Sequence, residues 1–222
     1  MRVSLSTDAT PGAKEIGGKA ASLVRLGQAG FAVPAGSVLT TRFFSEWIDR
    51  VQASAEWKQV LAQLDAITDK LPSLAEREAL GAATAAAQRF ARDLPFSENQ
   101  RDVLDRLAHE LADKTCAARS SSPEEDLEGA SFAGLYETVL DVPPSAIHDA
   151  VRTCFVSSLD ARVLLYKREM GMTVLAPSIA VVVQEQIAAV AAGVAFSLNP
   201  INPAFDECVI NASWGLGEAL VS

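Results

Sequence analysis

The sequence predicts an α+β protein, on three observations. The first half carries helix-type apolar spacing and two capping boxes. The second half carries short runs rich in valine, isoleucine and alanine, bounded by turn residues, and mixes them with further helical patterns. Between the halves, near Thr115, the composition shifts to small polar residues.

Each element follows from local chemistry. Residues 20–29 place Leu23 and Leu26 one helical turn apart, and Gly30 offers the left-handed conformation that ends a helix. FAVPAGSVLT has β-branched and aromatic residues with a proline near its start, so a strand is expected from Val38. Thr41 is placed to cap a helix through RFFSEWIDRVQ, where Phe44, Trp47, Ile48 and Val51 share a face. The capping boxes SLAE (residues 73–76) and SENQ (97–100) start two more helices, the second continuing with Val103, Leu104, Leu107 and Leu111. After Thr115, CAARSSS reads as a short strand running into a polar loop, LYETVLDV alternates like a strand, and Pro143-Pro144 stops it. Ile147, Val151, Cys154 and Phe155 mark an amphipathic helix, and LDARVLLYKREMG another that ends at Gly171. Three strands follow Pro177: SIAVVVQEQI, AGVAFSL and CVINASW, with NPINP as a turn between the last two.

Composition limits the function classes. A chain of 222 residues with 49% apolar and 21% charged residues is long enough for one large domain or two small ones with a real core. Its net charge of −9 argues against a nucleic-acid partner, because any phosphate-binding surface must be local. No apolar run approaches the roughly 18 residues of a membrane span and the first residues hold no signal-peptide core, so no membrane partner and a cytoplasmic location are expected. Cys116, Cys154 and Cys208 are widely spaced and read as buried thiols, without disulfides or zinc. His109 and His148 both read as solvated helix residues.

Three stretches have residue types suited to nucleotide chemistry. Gly17-Gly18-Lys19 is not a P-loop, since Ala13 stands where the first glycine belongs and Ala20 where Ser or Thr would hold magnesium. What remains is an anion-binding turn: glycines admit close approach, the following helix N-terminus offers N–H groups, and Lys19 adds a movable charge. Taken alone, a glycine turn with a solvated lysine explains these residues better. In ARSSSPEEDLEGASFAG, Arg119 runs into three serines, an array of guanidinium and hydroxyl donors that fits phosphate; taken alone, a solvated loop with an Arg–carboxylate pair explains it better. Gln184-Glu185 ends a fully apolar strand, where an amide and a carboxylate can read a base or a ribose, or simply end the strand in solvent. Gly215 and Gly217 are compatible with close backbone approach to a ligand.

In this order, the motifs IGGKAASLVRLGQAGFAVPAGSVLTT, ARSSSPEEDLEGASFAGLYETVLDV, VVVQEQI, AGVAFSLNPI and INASWGLGEALVS resemble the N-terminal nucleotide-binding domain of the phosphoenolpyruvate synthase, pyruvate phosphate dikinase and rifampin phosphotransferase family. The resemblance runs over residues 17–222. It implies an ATP-grasp-like fold of two lobes around ATP and Mg2+, incomplete at the C-terminus. Residues 1–113 would form a mainly helical lobe and residues 114–222 an α/β lobe of one truncated domain. Lys19 and Arg119 match the family's phosphate contacts, with catalytic roles. Gly134 and Thr138 match positions over the nucleotide, and Gln184 with Glu185 matches the adenine and ribose segment. No metal ligand is assigned in this chain; those of the family are expected further along.

The family transfers the β-phosphoryl group of ATP to a histidine on a swivelling domain, and from there to an acceptor such as pyruvate. The implied partners are therefore ATP and downstream phosphohistidine and acceptor-binding domains, and a homodimer of the parent is compatible with the resemblance. Neither His109 nor His148 sits in a phosphocarrier motif, so the chain is expected to be a fragment that is inactive alone. The alternatives are a rifampin phosphotransferase-like enzyme or a noncatalytic module of the same fold for nucleotide sensing or protein interaction.

Overall fold

The computed structural model describes residues 1–68, 71–124, 132, 134–199, 201, 206–217 and 220. The α+β expectation holds: helices accompany antiparallel sheets throughout. Two compact units divide the chain, Met1–Gln186 and Ile187–Ser222.

The first unit is built on a five-stranded sheet in the order β1-β2-β5-β3-β4, from β1 (Arg2–Ser4), β2 (Gly36–Leu39), β3 (Cys116–Ser121), β4 (Thr138–Val142) and β5 (Ala180–Glu185). Every neighbouring pair is antiparallel. The sheet thus interleaves strands from before and after residue 114, with β5 seated between β2 and β3. Its apolar sequence AVVV suits that central place, since both faces are covered.

Among the described residues seven helices accompany it: α1 (Ala13–Gln28), α2 (Ser45–Ala53), α3 (Ala55–Ala66), α4 (Leu74–Arg92), α5 (Glu98–Glu110), α6 (Ile147–Ser157) and α7 (Ala161–Glu169). One face of the sheet, with Leu39, Cys116, Ala118, Val181 and Val183, joins a core that includes Phe43, Phe44, Trp47, Leu104, Leu107 and Phe155. The Phe44 and Phe155 rings stack at 5.3 Å, and Trp47 meets Phe155 edge-on at 5.1 Å. The other face, with Val38, Ala180 and Val182, packs under Ile16, Ala20 and Val24 of α1.

Both capping boxes form. Ser73 Oγ accepts from Glu76 N and Ser97 Oγ from Gln100 N, and each third-position side chain returns to the cap backbone. Gly30, at φ +84°, ends α1 as expected: its N–H donates to Gly27 O and that of Phe31 to Leu26 O. Two expectations are corrected. Thr41 caps no helix; it starts a 3-10 turn, Thr41–Phe44, and its hydroxyl donates to Lys14 O at 3.3 Å. Cys116 and Cys154 are buried, but Cys208 is exposed, because it precedes a hairpin strand in the small second unit. Strand β1 and helix α3 were not legible: three residues are too few for a pattern, and α3 is capped by Ser54 without a capping box.

The second unit contains the hairpin of β6 (Ala191–Phe196) and β7 (Val209–Trp214), paired from Ala191↔Trp214 to Phe196↔Val209. Among the described residues no helix is long and apolar enough to cross a membrane.

Candidate nucleotide site

The glycine-lysine motif lies inside α1, not before it. The helix begins at Ala13, but Gly17 breaks its conformation at φ +76°, ψ 164°. A side chain there is excluded twice, since the left-handed region penalises a Cβ and one would lie 2.2 Å from Ser121 O. The bend lets α1 restart against the end of β3. Gly18 N donates to Ser122 O at 3.0 Å, Ala20 N donates to Ser121 Oγ at 3.1 Å, and Ser121 Oγ donates to Ile16 O at 2.9 Å. The two motifs that lie about a hundred residues apart in sequence are therefore one structural unit.

This docking takes up groups that the sequence offers to an anion. Two N–H groups at the restarted helix end are taken by Ser121 and Ser122 at the end of β3. The three serines are buried and bonded within the protein. Ser120 Oγ donates to Glu137 O at 2.8 Å, Ser121 is held as above, and Ser122 Oγ accepts from Glu124 N at 3.2 Å. Their hydroxyls fix backbone geometry, since buried polar groups must be paired.

The charged residues are placed differently. Lys19 is half-buried and its Nζ donates to Ser120 O at 2.8 Å, so the ammonium sits at the exit of β3. Arg119 is half-buried on β3, paired across the sheet with Thr138 of β4 and Val182 of β5. Directly opposed residues of antiparallel strands share a face. Arg119 and Thr138 thus lie on the α1 face, together with Gln184, which opposes Ala117 two positions along β3. Thr138 is exposed. Gly134 has φ +72° and open space where a Cβ would stand.

Glu185 faces the other way. It opposes Cys116, and its Oε2 pairs with Lys114 Nζ. Strand alternation separates it from Gln184, so Lys19, Arg119, Thr138 and Gln184 belong to one side of the sheet and Glu185 to the other.

Gln184 has the one feature in this group that asks for a ligand. It is 6% exposed, and its Oε1 has no hydrogen-bond partner among the described residues. An unpaired buried amide oxygen costs about 1–3 kcal/mol, which a donor from a bound molecule removes. A groove of about 650 Å³ at the β1 edge, lined by residues such as Arg2, Phe31 and Glu110, includes none of these residues.

Cys154 and His148 are packed away from these residues. Cys154 Sγ points to Ala118 O at 3.5 Å, and burial pushes its thiol up to about 12. His148 meets Asp105 at 3.0 Å and the edge of Phe96 at 5.5 Å, away from the α1 face. Among the described residues no group of three His, Cys, Asp or Glu side chains could hold a metal. Glu125, Asp126, Ala130, Ser131, Ala133 and Glu218, all within the motifs named above, lie outside the described residues.

The chain matches known proteins over nearly its whole length. The pyruvate phosphate dikinase AMP/ATP-binding domain family matches residues 13–222. A probable phosphoenolpyruvate synthase of Methanocaldococcus jannaschii is 32% identical over 213 residues, covering 93% of this chain and 17% of that protein. The phosphoenolpyruvate synthase of Pyrococcus furiosus is 31% identical over 238 residues, covering 93% of this chain and 29% of that protein. The rifampicin phosphotransferase of Streptomyces sviceus is 31% identical over 210 residues, covering 93% and 23%. The chain spans less than a third of the length of each.

Proposed function

The chain belongs to the pyruvate phosphate dikinase AMP/ATP-binding domain family, and from that premise we propose that it is the ATP-binding part of a multidomain phosphotransferase with an ATP-grasp-like fold. Its parent moves the β-phosphoryl group of ATP through a phosphohistidine to an acceptor such as pyruvate. The observation that carries this reading is the bend at Gly17, which delivers Lys19 to the exit of β3 on the strand that bears Arg119.

Phosphoryl transfer needs the reacting groups positioned and their spreading negative charge neutralised. Lys19 and Arg119 supply two cations on rigid elements, and Thr138 adds a hydroxyl on the same sheet face. Gln184 Oε1, buried and without a partner among the described residues, suits an exocyclic amine such as that of adenine. Glu185, on the opposite face, contributes to the ribose side only through the backbone it shares with Gln184. Mg2+ is expected with the nucleotide; among the described residues no group of three His, Cys, Asp or Glu side chains gathers to hold it.

The experiment is phosphoprotein formation from β-labelled and γ-labelled ATP in a protein carrying this chain with its downstream domains. Label entering from the β position supports the proposal; label entering only from the γ position overturns it. A rifampin phosphotransferase-like parent is the second reading, favoured by the Streptomyces relative at an identity within one percentage point of the Methanocaldococcus synthase. Consumption of pyruvate or of rifampin by the same protein separates the two.

A further inference from the structure

The connection from β3 to β4 carries Ser122 and Glu124 at one end and Gly134 and Tyr136 at the other. Both ends are tied to one helix that no motif singled out. Lys167 of α7 is 2% exposed, unusual for a lysine, and its Nζ lies 2.5 Å from Glu124 Oε2. Glu124 is itself mostly buried, with 17% side-chain exposure. One residue earlier on α7, Tyr166 meets the Phe132 ring edge-on at 4.9 Å, and Phe132 is 2% exposed.

The two ends are also joined to each other. Phe132 stacks on Tyr136 at 5.6 Å, and Tyr136 Oη donates to Ser122 Oγ at 3.3 Å. Ser122 Oγ accepts from Glu124 N, and Ser122 O accepts from Gly18 N, the residue before Lys19. A continuous set of contacts therefore runs from α7 through the connection to the lysine. A buried Lys–Glu pair adds little net stability over apolar residues, because desolvating both charges offsets their attraction. Its value lies in fixing where the partners sit.

We propose that Lys167 and Tyr166 are positioning residues: through Glu124 and Phe132 they hold Ser122 and Tyr136, at the two ends of the β3–β4 connection, so that Lys19, Arg119 and Thr138 present their polar groups together. This rests on the reading of Lys19 and Arg119 as phosphate contacts.

The test uses Lys167→Met with Glu124→Gln, which removes both charges and leaves no isolated buried ion, and separately Tyr166→Leu. Amide exchange in this chain is read at Glu124, Leu135 and Glu137, whose N–H groups donate to Ser122 Oγ, Phe132 O and Ser157 Oγ. Exchange there is expected to quicken about tenfold or more while Val182 in β5 keeps its protection. Unchanged exchange at all three amides in both variants overturns the proposal without reference to ATP.

The second arm is phosphoprotein formation in the longer protein, with Lys19→Ala beside the α7 variants. The proposal expects kcat to fall about 100-fold in the α7 variants with the KM for ATP less affected, as for misplaced catalytic groups. It also expects Lys167→Arg, which keeps the pair, to retain most of the rate. If Lys19→Ala is inactive and the α7 variants keep full rate, the positioning role is wrong. If Lys19→Ala itself keeps full rate, the phosphate-site reading fails and the inference fails with it.

Discussion

On one face of the five-stranded sheet, Leu39, Ala118, Val181 and Val183 lie in a core with Phe43, Phe44, Trp47 and Phe155; on the other, Val38, Ala180 and Val182 are covered by α1, and Arg119, Thr138 and Gln184 stand beside it. The first face is mainly apolar, and polar groups on it are paired, as Glu185 is with Lys114 and Gln100 through its Nε2 bond to Phe43 O at 2.7 Å. The second mixes a small apolar patch with cations and an amide oxygen that has no partner among the described residues. The fold divides its work between them. Stability is concentrated on the thick face, which leaves the thin face room for groups that serve a ligand at some cost to the fold.

Substitutions can erase this contrast, and the largest effect is expected where the two motifs of the thin face lock together. Gly17→Val puts a branched side chain at φ +76° and into Ser121, and is expected to cost about 4 kcal/mol or more, enough to prevent folding at ordinary temperature. Circular dichroism and solubility check it. On the thick face, Trp47→Ala removes a ring that touches Phe96 and Phe155 and donates to Pro95 O at 3.0 Å. A loss of about 3–5 kcal/mol in urea unfolding is expected.

Gln184→Leu separates the faces more finely, because here they should respond with opposite sign. Removing the unpaired oxygen is expected to leave stability unchanged or raise it by about 1 kcal/mol, while weakening ATP binding by the longer protein. A fall in stability together with unchanged ATP affinity would move Gln184 to the structural side.

The weakest response lies far from the sheet. Ser73→Ala removes the cap of α4 and is expected to cost about 1 kcal/mol. The Ser73 hydroxyl and backbone bonds hold the Glu76 carboxyl below its usual range. That depressed value contributes stability above the unfolded carboxylate pKa, and the contribution is lost as pH falls through the folded value. The cost of Ser73→Ala should therefore shrink in acid, measured as the difference in midpoint between neutral pH and about pH 3.

Much of the architecture was legible in the sequence because it is locally encoded. The capping boxes at Ser73 and Ser97, the closing Gly30 and the apolar stripe of α6 depend on residues within a few positions of one another. Residue types alone favoured a solvated Lys19 and an Arg119 in a solvated loop, and only the resemblance named them as phosphate contacts. The bonding of Ser121 was not legible, because whether its hydroxyl serves a ligand or the backbone depends on Ile16, a hundred residues away. Gln184 and Glu185 were read as one pair; the strand's two-residue period divides them once the register with β3 is fixed. Lys167 gave no signal, since a lysine in YKRE near the end of a helix reads as solvated until Glu124 is seen beside it.

Phosphate binding by the thin face is read most directly from the initial rate of protein phosphorylation from β-labelled ATP in the longer protein with Lys19→Ala or Arg119→Ala, taken with the thermal midpoint of each variant. If the thin face binds the phosphates of ATP, each substitution lowers the rate by about 100-fold or more and leaves the midpoint within a few degrees. Wild-type rates in both variants, or rates lost only as fast as the protein unfolds, are incompatible with that role.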